Sequence, residues 1–258
     1  MVMPGDGLVI ALDQGSHASR AVLFDTAGNE VAQALVSVVT RREGADRVEQ
    51  DAEELVRSLR TALQDACERR PGTPIVAAGL ATQRSTIVAW SRSTGRALTD
   101  AISWQDRRNA AELNRLAPVA ANVRTITGLP LSPHYGASKL RWCLDHVPGV
   151  QRAALAGDLA LGPLSSYLLA RLAEERPHAV DPANASRTLL YDTAALQWSP
   201  ELLRLFQDPE HASLPGLIPL GTVLLRFVAL YSLLDGVNIL LIGSLQGAGD
   251  TRWTLIMS

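Results

Sequence analysis

The sequence predicts an α/β domain with a mixed sheet, followed by an apolar helical tail. The first observation is the order of the leading elements, which is strand, strand, strand, helix, strand. The second is the composition: 47% of the 258 residues are hydrophobic, enough for a real core. The third is the charge distribution, because residues 216–258 carry only four of the charged side chains. We therefore divide the chain into residues 1–215 and 216–258.

The first three strands come from apolar runs separated by turn formers. The run Leu8–Leu12 ends at Asp13, and Ser19–Asp25 resumes after a short polar turn. A third strand, Glu30–Val39, follows another turn.

A helix and a buried strand complete this core. Asp51 and Glu54 form a plausible capping box, and leucines recur at helical spacing until Pro71-Gly72. The apolar run Ile75–Ala81 then predicts a strand buried on both faces.

The remaining elements are a hairpin and several helices. Residues 86–90 and 97–104 flank a Ser-Thr-Gly turn and predict the hairpin. Helices are expected over 107–116 and 138–146, and residues 153–175 read as largely helical, interrupted by Gly162-Pro163.

The composition also excludes several classes of protein. A net charge of −2 argues against a general nucleic-acid binder, and two cysteines, Cys67 and Cys143, exclude a disulfide-stapled miniprotein. The five histidines lack metal-ligand spacing, and no P-loop, nucleophile elbow or dinucleotide fingerprint occurs. The start of the chain lacks the pattern of a secretory signal. We expect a reducing, cytoplasmic compartment.

The first candidate site is the octet from Asp13 to Arg20. A carboxylate at a strand end can hold hydrated Mg²⁺, and the following turn, with Gly15 and Ser16, can cradle phosphate oxygens through its backbone amides. An ordinary hairpin with a capped turn explains the same residues equally well.

The second candidate is the polar run from Thr82 to Thr86. Because ligands meet the carboxyl ends of strands in open α/β sheets, Arg84 is well placed to bind hydroxyls or phosphate. The alternative is a surface arginine that pairs with an acidic residue.

The third candidate is Trp104 with the polar residues that follow it. An indole can stack on the apolar face of a sugar or polyol while neighbouring groups bond its hydroxyls. Alternatively Trp104 belongs to the core. His134 and Tyr135 lie in a Pro-rich loop, where such a pair is more often structural.

In this order the clusters resemble the amino-terminal domain of the FGGY carbohydrate kinases, the glycerol kinase-like family, from about residue 8 to about residue 214. The resemblance is carried by seven motifs: Leu12-Asp13-Gln-Gly-Ser, Val48-Glu-Gln-Asp51, Gly79-Leu-Ala-Thr-Gln83-Arg84, Ile102-Ser-Trp104-Gln-Asp-Arg107-Arg108, Thr127-Gly128-Leu, Lys139-Leu-Arg-Trp142 and Asn184-Ala-Ser-Arg187-Thr.

The resemblance implies an actin-like, ribonuclease H-like fold that transfers the ATP γ-phosphoryl group to a sugar or polyol. ATP and Mg²⁺ are then the expected cofactors. Asp13 would hold Mg²⁺ and phosphate, and Gly15, Ser16 and Arg20 would complete the ATP/Mg site.

The implied substrate-binding residues are Arg84, Ser85, Trp104, His134 and Tyr135. Two of them depart from the family pattern, because Ser85 and His134 stand where glycerol kinase-like members carry a glutamate and a tyrosine. Both departures argue against glycerol itself.

A further departure concerns completeness. The family's second domain supplies the catalytic aspartate base, and its usual Gly-Asp-Gln segment does not follow residue 214. We therefore expect no catalytic base in this chain and little or no turnover by the chain alone.

The tail predicts a membrane segment. Residues 227–245 contain one charge in 19 positions, close to the length of about 20 residues that crosses a bilayer. A core helix is the alternative. Residues 233–252 resemble a short internal stretch of the MATE transporters. The open alternatives to a kinase domain are a membrane-tethered polyol-binding module and a non-functional fusion fragment.

Overall fold

The computed structural model describes residues 7–206 and the backbone of residues 222–223. Within these ranges the strands are β1 Leu8–Gln14, β2 Ala18–Phe24, β3 Glu30–Ser37, β4 Arg41–Glu43, β5 Arg47–Gln50, β6 Ile75–Thr82, β7 Ile87–Ser91, β8 Ala101–Ile102, β9 Leu159–Pro163, β10 Ala179–Val180, β11 Tyr191–Asp192, β12 Gln197–Trp198 and β13 Thr222–Val223. The helices are α1 Ala52–Glu68, α2 Ala110–Asn114, α3 Ala120–Thr127, α4 Gly136–His146, α5 Pro148–Leu155, α6 Leu164–Leu172, α7 Pro182–Ser186 and α8 Pro200–Leu205. A 3₁₀ turn at Ala117–Val119 leads into α3.

The first sheet has the strand order β3-β2-β1-β6 and is mixed, as predicted. Strands β1, β2 and β3 pair antiparallel through short turns, whereas β1 and β6 run parallel. The connection between them runs through β2 to β5 and then through α1, which supplies the crossover that a parallel pair requires. The carboxyl ends of β1 and β6 therefore lie at the same edge of the sheet.

Helix α1 covers one face of this sheet and begins where the sequence predicts. The carboxylate of Asp51 accepts hydrogen bonds from the amides of Glu53 and Glu54 at 2.8 and 3.0 Å, which caps the first turn. The apolar stripe of the helix, including Leu55 and Leu59, is fully buried against β1, β2 and α6. A second anchor joins α1 to α6, since Arg171 forms an ion pair with Glu53 at 2.7 Å.

The second sheet has the order β4-β5-β8-β7-β9. A separate core lies on it, in which α4 packs through Leu140 and Cys143. The start of α4 fits closely into its surroundings, because a Cβ on Gly136 would lie 3.2 Å from Ile87 and 3.3 Å from the backbone of Thr188. This helix connects the second sheet to the loop that contains His134.

The prediction that residues 75–81 form a strand buried on both faces is half right. Strand β6 forms, but Ile75 and Val76 are 40% and 59% exposed. The reason is position: β6 is the edge strand of its sheet, and among the described residues no strand pairs with its outer side. An apolar run shows what a strand could bury but not whether a neighbour covers it.

The prediction that residues 153–175 are largely helical is also corrected. Helix α5 ends at Leu155, and Leu159–Pro163 is a fully buried strand, β9, that pairs antiparallel with β7. Helix α6 begins immediately afterwards, at Leu164. A five-residue apolar run between two helices does not show strand periodicity, so local sequence could not separate it from its neighbours.

Other predicted elements are confirmed with shifted limits. The predicted helix over 138–146 is α4, which starts two residues earlier, and the one over 107–116 contracts to the five residues of α2. The hairpin forms through β7 and β8, with a bridge between Trp90 and Ala97. Both cysteines are free thiols. Residues 227–245 lie outside the described part of the chain, and no helix within that part is long and apolar enough to span a membrane.

Candidate active site

The candidate site lies at the edge where β1 and β6 both end. In the parallel register Asp13 stands opposite Ala81 and Gln14 opposite Thr82. The pairing continues one step further, since the amide of Gln83 donates to the carbonyl of Gln14 at 2.9 Å. The octet that begins at Asp13 and the polar run that begins at Thr82 are therefore neighbours in space, although about 70 residues separate them in sequence.

The turn between β1 and β2 leaves backbone donors unused. Gly15 closes it by donating to the carbonyl of Ala18 at 2.9 Å, and a Cβ on Gly15 would approach that oxygen to 3.3 Å. The amides of Ser16 and His17 have no hydrogen-bond acceptor among the described residues. Neighbouring amides in a tight turn that lack an internal acceptor can donate hydrogen bonds to phosphate oxygens. The octet is thus a hairpin turn, as the simpler interpretation predicts. The amide of Gly15 closes the turn, and those of Ser16 and His17 remain for the phosphate role.

Asp13 and Arg20 lie opposite each other in the β1–β2 register, and both side chains are exposed. Partial desolvation raises the pKa of Asp13, and the charge of Arg20 opposes this effect. No group of three or more potential metal ligands occurs among the described residues. A single exposed carboxylate nevertheless fits Mg²⁺ that arrives with a nucleotide, because Mg²⁺ retains waters and binds phosphate oxygens alongside one or two protein carboxylates.

Three glutamines connect the turn to the rest of the site. The side-chain amide of Gln83 donates to the side-chain oxygens of Gln14, at 3.0 Å, and Gln50, at 2.5 Å. Gln50 donates in turn to the carbonyl of Ser16 at 3.0 Å. Gln14 and Gln50 are almost completely buried, so these amides are fixed by one another rather than by water.

Trp104 reaches this network from the second sheet. Its indole nitrogen donates to the hydroxyl of Ser16 at 3.1 Å, and that hydroxyl donates to Gln83 at 3.2 Å. The Trp104 amide is held by the hydroxyl of Thr86 at 3.1 Å. On its other side the indole contacts the imidazole of His134 edge to face, with ring centroids 5.5 Å apart. Trp104 is therefore partly exposed at the site rather than a core residue.

Arg84 is exposed at the end of β6. It has no hydrogen bond or ion pair with any residue between 7 and 206, which contradicts the alternative of a surface arginine paired with an acid. Ser85, beside it, is 3% exposed and its hydroxyl has no hydrogen-bond partner among the described residues. Ser85 also has a φ of 67°, a left-handed conformation that costs a non-glycine residue free energy.

His134 and Tyr135 have different surroundings. The His134 ring is partly exposed, and burial together with the charges of Lys139 and Arg187 lowers its pKa. Tyr135 is only 8% exposed and belongs to the second core, where the Arg187 guanidinium lies 5.9 Å from its ring centre. His134 therefore faces the site, and Tyr135 packs behind it.

Gln14 lies in the first candidate octet but was given no role of its own there, and neither Gln50 nor Lys139 was nominated from the sequence. They occur inside the quoted motifs, but isolated glutamines carry no chemistry that singles them out. Only tertiary contacts give these residues a role. The glutamines bond to residues at least 33 positions away in the sequence, and Lys139 makes its contacts in the interior.

Residues 8–256 match the FGGY family of carbohydrate kinases, N-terminal domain. Among curated relatives, the glycerol kinase of Rhodospirillum centenum is 42% identical over 207 residues, which cover 78% of this chain and 41% of the relative. The glycerol kinase of Gluconobacter oxydans is also 42% identical, over 210 residues, covering 78% and 40%. The chain thus spans about two fifths of the length of these relatives.

Solved structures show the same fold. Plasmodium falciparum glycerol kinase with ADP superimposes with a TM-score of 0.73 at 23% identity, covering 78% of this chain and 40% of that one. The gluconate kinase of Lactobacillus acidophilus gives 0.72 at 19% identity, covering 84% and 42%. The fold is therefore the actin-like α/β fold of the sugar kinases.

These comparisons give no support to the expected resemblance to MATE transporters. The family match continues to residue 256, beyond the division that the charge distribution suggested at residue 215. The transporter-like stretch, 233–252, lies outside the described residues.

Proposed function

The chain belongs to the FGGY family of carbohydrate kinases, and we propose that it forms the sugar- or polyol-binding face and the phosphate turn of an ATP-dependent kinase. One observation carries this proposal: an unbroken series of contacts joins the turn at Ser16, through the indole of Trp104, to the imidazole of His134. A phosphate-binding turn and a hydroxyl-binding surface that share one side chain suit phosphoryl transfer between their ligands.

The side chains of the site have properties that suit hydroxyl binding. The partly exposed indole of Trp104 offers an apolar face for the carbon skeleton of a polyol. Arg84, which has no partner within residues 7–206, can donate to two hydroxyls. The lowered pKa of His134 leaves its imidazole neutral at pH 7, so the ring can both donate and accept a hydrogen bond.

The phosphate side is assigned to the turn that follows β1. The free amides of Ser16 and His17 would bind phosphate oxygens, Arg20 would add positive charge, and Asp13 would hold the cation. When bound, ATP would supply the transferable phosphoryl group, and its Mg²⁺ would neutralise negative charge on the phosphate oxygens. Among the site residues, Ser85 and Tyr135 would act from behind the surface, because both are buried.

Small polyols and sugars are the proposed substrates. The curated relatives named above are glycerol kinases, so glycerol is the first compound to test, although Ser85 and His134 depart from the pattern of glycerol kinase-like members. The neighbours of known structure include a gluconate kinase and a xylulose kinase of Lactobacillus acidophilus, so larger sugars are the second class.

Turnover by the 258-residue chain should be weak. Within residues 7–206, no acidic side chain contacts Trp104 or His134 through a hydrogen bond or ion pair. The nearby carboxylates of Glu49 and Asp106 are both engaged by Arg108, at 2.6 and 2.7 Å. A carboxylate base beside Trp104 and His134 would then have to come from a part of the enzyme outside residues 7–206.

The test is ligand binding followed by assay. The full chain is titrated calorimetrically with glycerol, xylulose and gluconate, and then assayed with Mg·ATP and any compound that binds. We expect millimolar or tighter binding of at least one compound and at most slow turnover. Absence of binding by all three would refute the polyol-binding role, and turnover at ordinary kinase rates would refute the prediction of a missing base.

A cytoplasmic location is part of the proposal, because ATP is the expected phosphoryl donor. The free thiols of Cys67 and Cys143 agree with a reducing compartment.

A further inference from the structure

Lys139 is the only lysine in the chain, and it is 1% exposed. It projects from the first turn of α4, and its ammonium group donates to two backbone carbonyls, those of His134 at 2.7 Å and Ser85 at 3.3 Å. A buried lysine without a direct carboxylate partner is costly, so its contacts indicate a function.

The two carbonyls belong to the two segments that present the proposed substrate-binding side chains. Ser85 directly follows Arg84 and holds a left-handed φ of 67°. Such a conformation persists only when the surroundings enforce it, and the bond from Lys139 is one such restraint. On the other side the bond to the His134 carbonyl fixes the backbone whose imidazole contacts Trp104.

We propose that Lys139 is a positioning residue that holds the Arg84 segment and the His134 segment at the separation that polyol binding requires. The proposal rests on the function proposed above, since it assigns Lys139 a role in that site. Lys139 touches no substrate itself. It holds the two segments in place only through its hydrogen bonds to the two carbonyls, so removal of the ammonium group would release both segments.

The charge surroundings of Lys139 make this role pH-dependent. Burial lowers the pKa of Lys139 to about 7. The negative charge of Asp106 opposes this decrease, and the positive charge of Arg108 adds to it. The pKa of the neighbouring His134 lies below its ordinary value of 6.5, so this imidazole is already neutral where Lys139 titrates. A charged ammonium is a stronger donor to a carbonyl than a neutral amine. Polyol affinity should therefore decrease as Lys139 loses its proton.

The experiment begins with the unaltered full chain. Labelling with carbon-13 lysine gives one Cε signal, because the chain has one lysine, and its chemical shift reports the protonation of Lys139 directly. The affinity for whichever of glycerol, xylulose and gluconate binds is measured calorimetrically over the same range, from about pH 6.5 to about pH 8.5. We expect the affinity to decrease with the same midpoint as the lysine signal. An affinity that stays constant while the lysine signal titrates would overturn the proposal.

A variant tests the geometry independently of any ligand. Lys139→Met keeps a long unbranched side chain but removes the donors, and Arg124→Met, on the exposed side of α3, removes one positive charge as the matched control. The ring-current-shifted imidazole signal of His134, assigned with His134→Asn, should move in Lys139→Met and not in the control. The affinity for the same compound should decrease about tenfold in Lys139→Met, the size expected for lost charge-assisted hydrogen bonds.

The outcomes separate the two proposals. If the unaltered chain does not bind glycerol, xylulose or gluconate, the proposed function fails, and the His134 signal alone decides whether Lys139 positions the loop. If the chain binds any of the three compounds and Lys139→Met leaves both the affinity and the His134 signal unchanged, the positioning role is refuted while the proposed function stands.

Discussion

The indole nitrogen of Trp104 donates to the hydroxyl of Ser16 at 3.1 Å, a bond between residues 88 positions apart in the chain. It links the two sheets at the candidate site, because Ser16 follows β1 and Trp104 follows β8. The Ser16 hydroxyl also donates to Gln83, so one small side chain connects the phosphate turn, the end of β6 and the proposed polyol surface. A substitution of Ser16, Gln83 or Trp104 should therefore alter the positions of the other two side chains.

The first prediction concerns the coupling between these two residues. Ser16→Ala and Trp104→Phe each remove one end of the bond while keeping most of the shape. In a double-mutant cycle the two changes should be non-additive by about 1 kcal/mol in the free energy of unfolding, the usual net value of one hydrogen bond. Urea denaturation followed by circular dichroism measures it. Strict additivity would show that the bond contributes nothing in solution.

The second prediction separates binding from folding at Arg84. Because this side chain is exposed and has no partner within residues 7–206, Arg84→Ala should leave the urea midpoint unchanged. Glycerol affinity should decrease about tenfold or more, since hydrogen bonds from a charged donor are lost. Calorimetric titration measures the affinity. Arg124→Ala, an exposed arginine on α3, is the control and should bind like the parent chain.

An unchanged affinity in Arg84→Ala would remove Arg84 from the site, whatever the behaviour of its neighbours. A decrease in the urea midpoint would instead show that the side chain has a structural partner. The two measurements therefore distinguish a binding residue from a packing residue.

Local sequence was sufficient for the first sheet and for the positions of the candidate residues. Strands β1 to β3, the Asp51 cap and α1 follow from apolar runs, turn formers and helical spacing, all of which act over a few residues. The predicted strand ends at Leu12 and Ala81 lie within two residues of the observed ends at Gln14 and Thr82. Because parallel strands end at the same edge, the convergence of these two clusters could be anticipated.

Features that depend on distant partners could not be predicted in this way. The exposure of Ile75 and Val76 depends on which strands neighbour β6, and the five residues of β9 become a strand only by pairing with β7. Likewise the glutamine contacts and the two carbonyls bound by Lys139 exist only after both sheets have formed. Side chains without distinctive chemistry give no signal in a single sequence.

The third prediction uses the two thiols as probes of the native core. Cys143 is fully buried, and burial raises its pKa to about 12, whereas Cys67 is partly exposed. Since the thiolate is the reactive form, native protein at about pH 8 should release one equivalent of chromophore with Ellman's reagent, and unfolded protein two. Cys67→Ser should abolish the native reaction. Rapid reaction of both thiols without denaturant would contradict the described core around α4.

The fourth prediction is a stability that rises with pH because of Lys139. Its pKa is about 7 in the fold and 10.5 for a solvated lysine, so between these values the unfolded chain binds more protons than the folded one. Stability then increases with pH, by at most about 1.4 kcal/mol per unit. Over about pH 7 to 8.5 the free energy of unfolding should therefore rise by up to about 2 kcal/mol more in the parent chain than in Lys139→Met.

In both proteins Cys143 acts in the opposite direction above about pH 8.5, so the absolute stability of each levels off there while the difference between them remains. Burial raises the pKa of its thiol from 9.0 to about 12, so above pH 9 the unfolded chain loses a proton that the folded chain retains, and stability decreases. Urea titrations of both proteins at several pH values test the difference. The other histidines contribute equally to both proteins, and His134, whose pKa is lowered by burial and by Lys139, contributes little above its ordinary pKa of 6.5. Parallel curves for the two proteins would mean that Lys139 titrates at its ordinary value, which is incompatible with its burial in the fold.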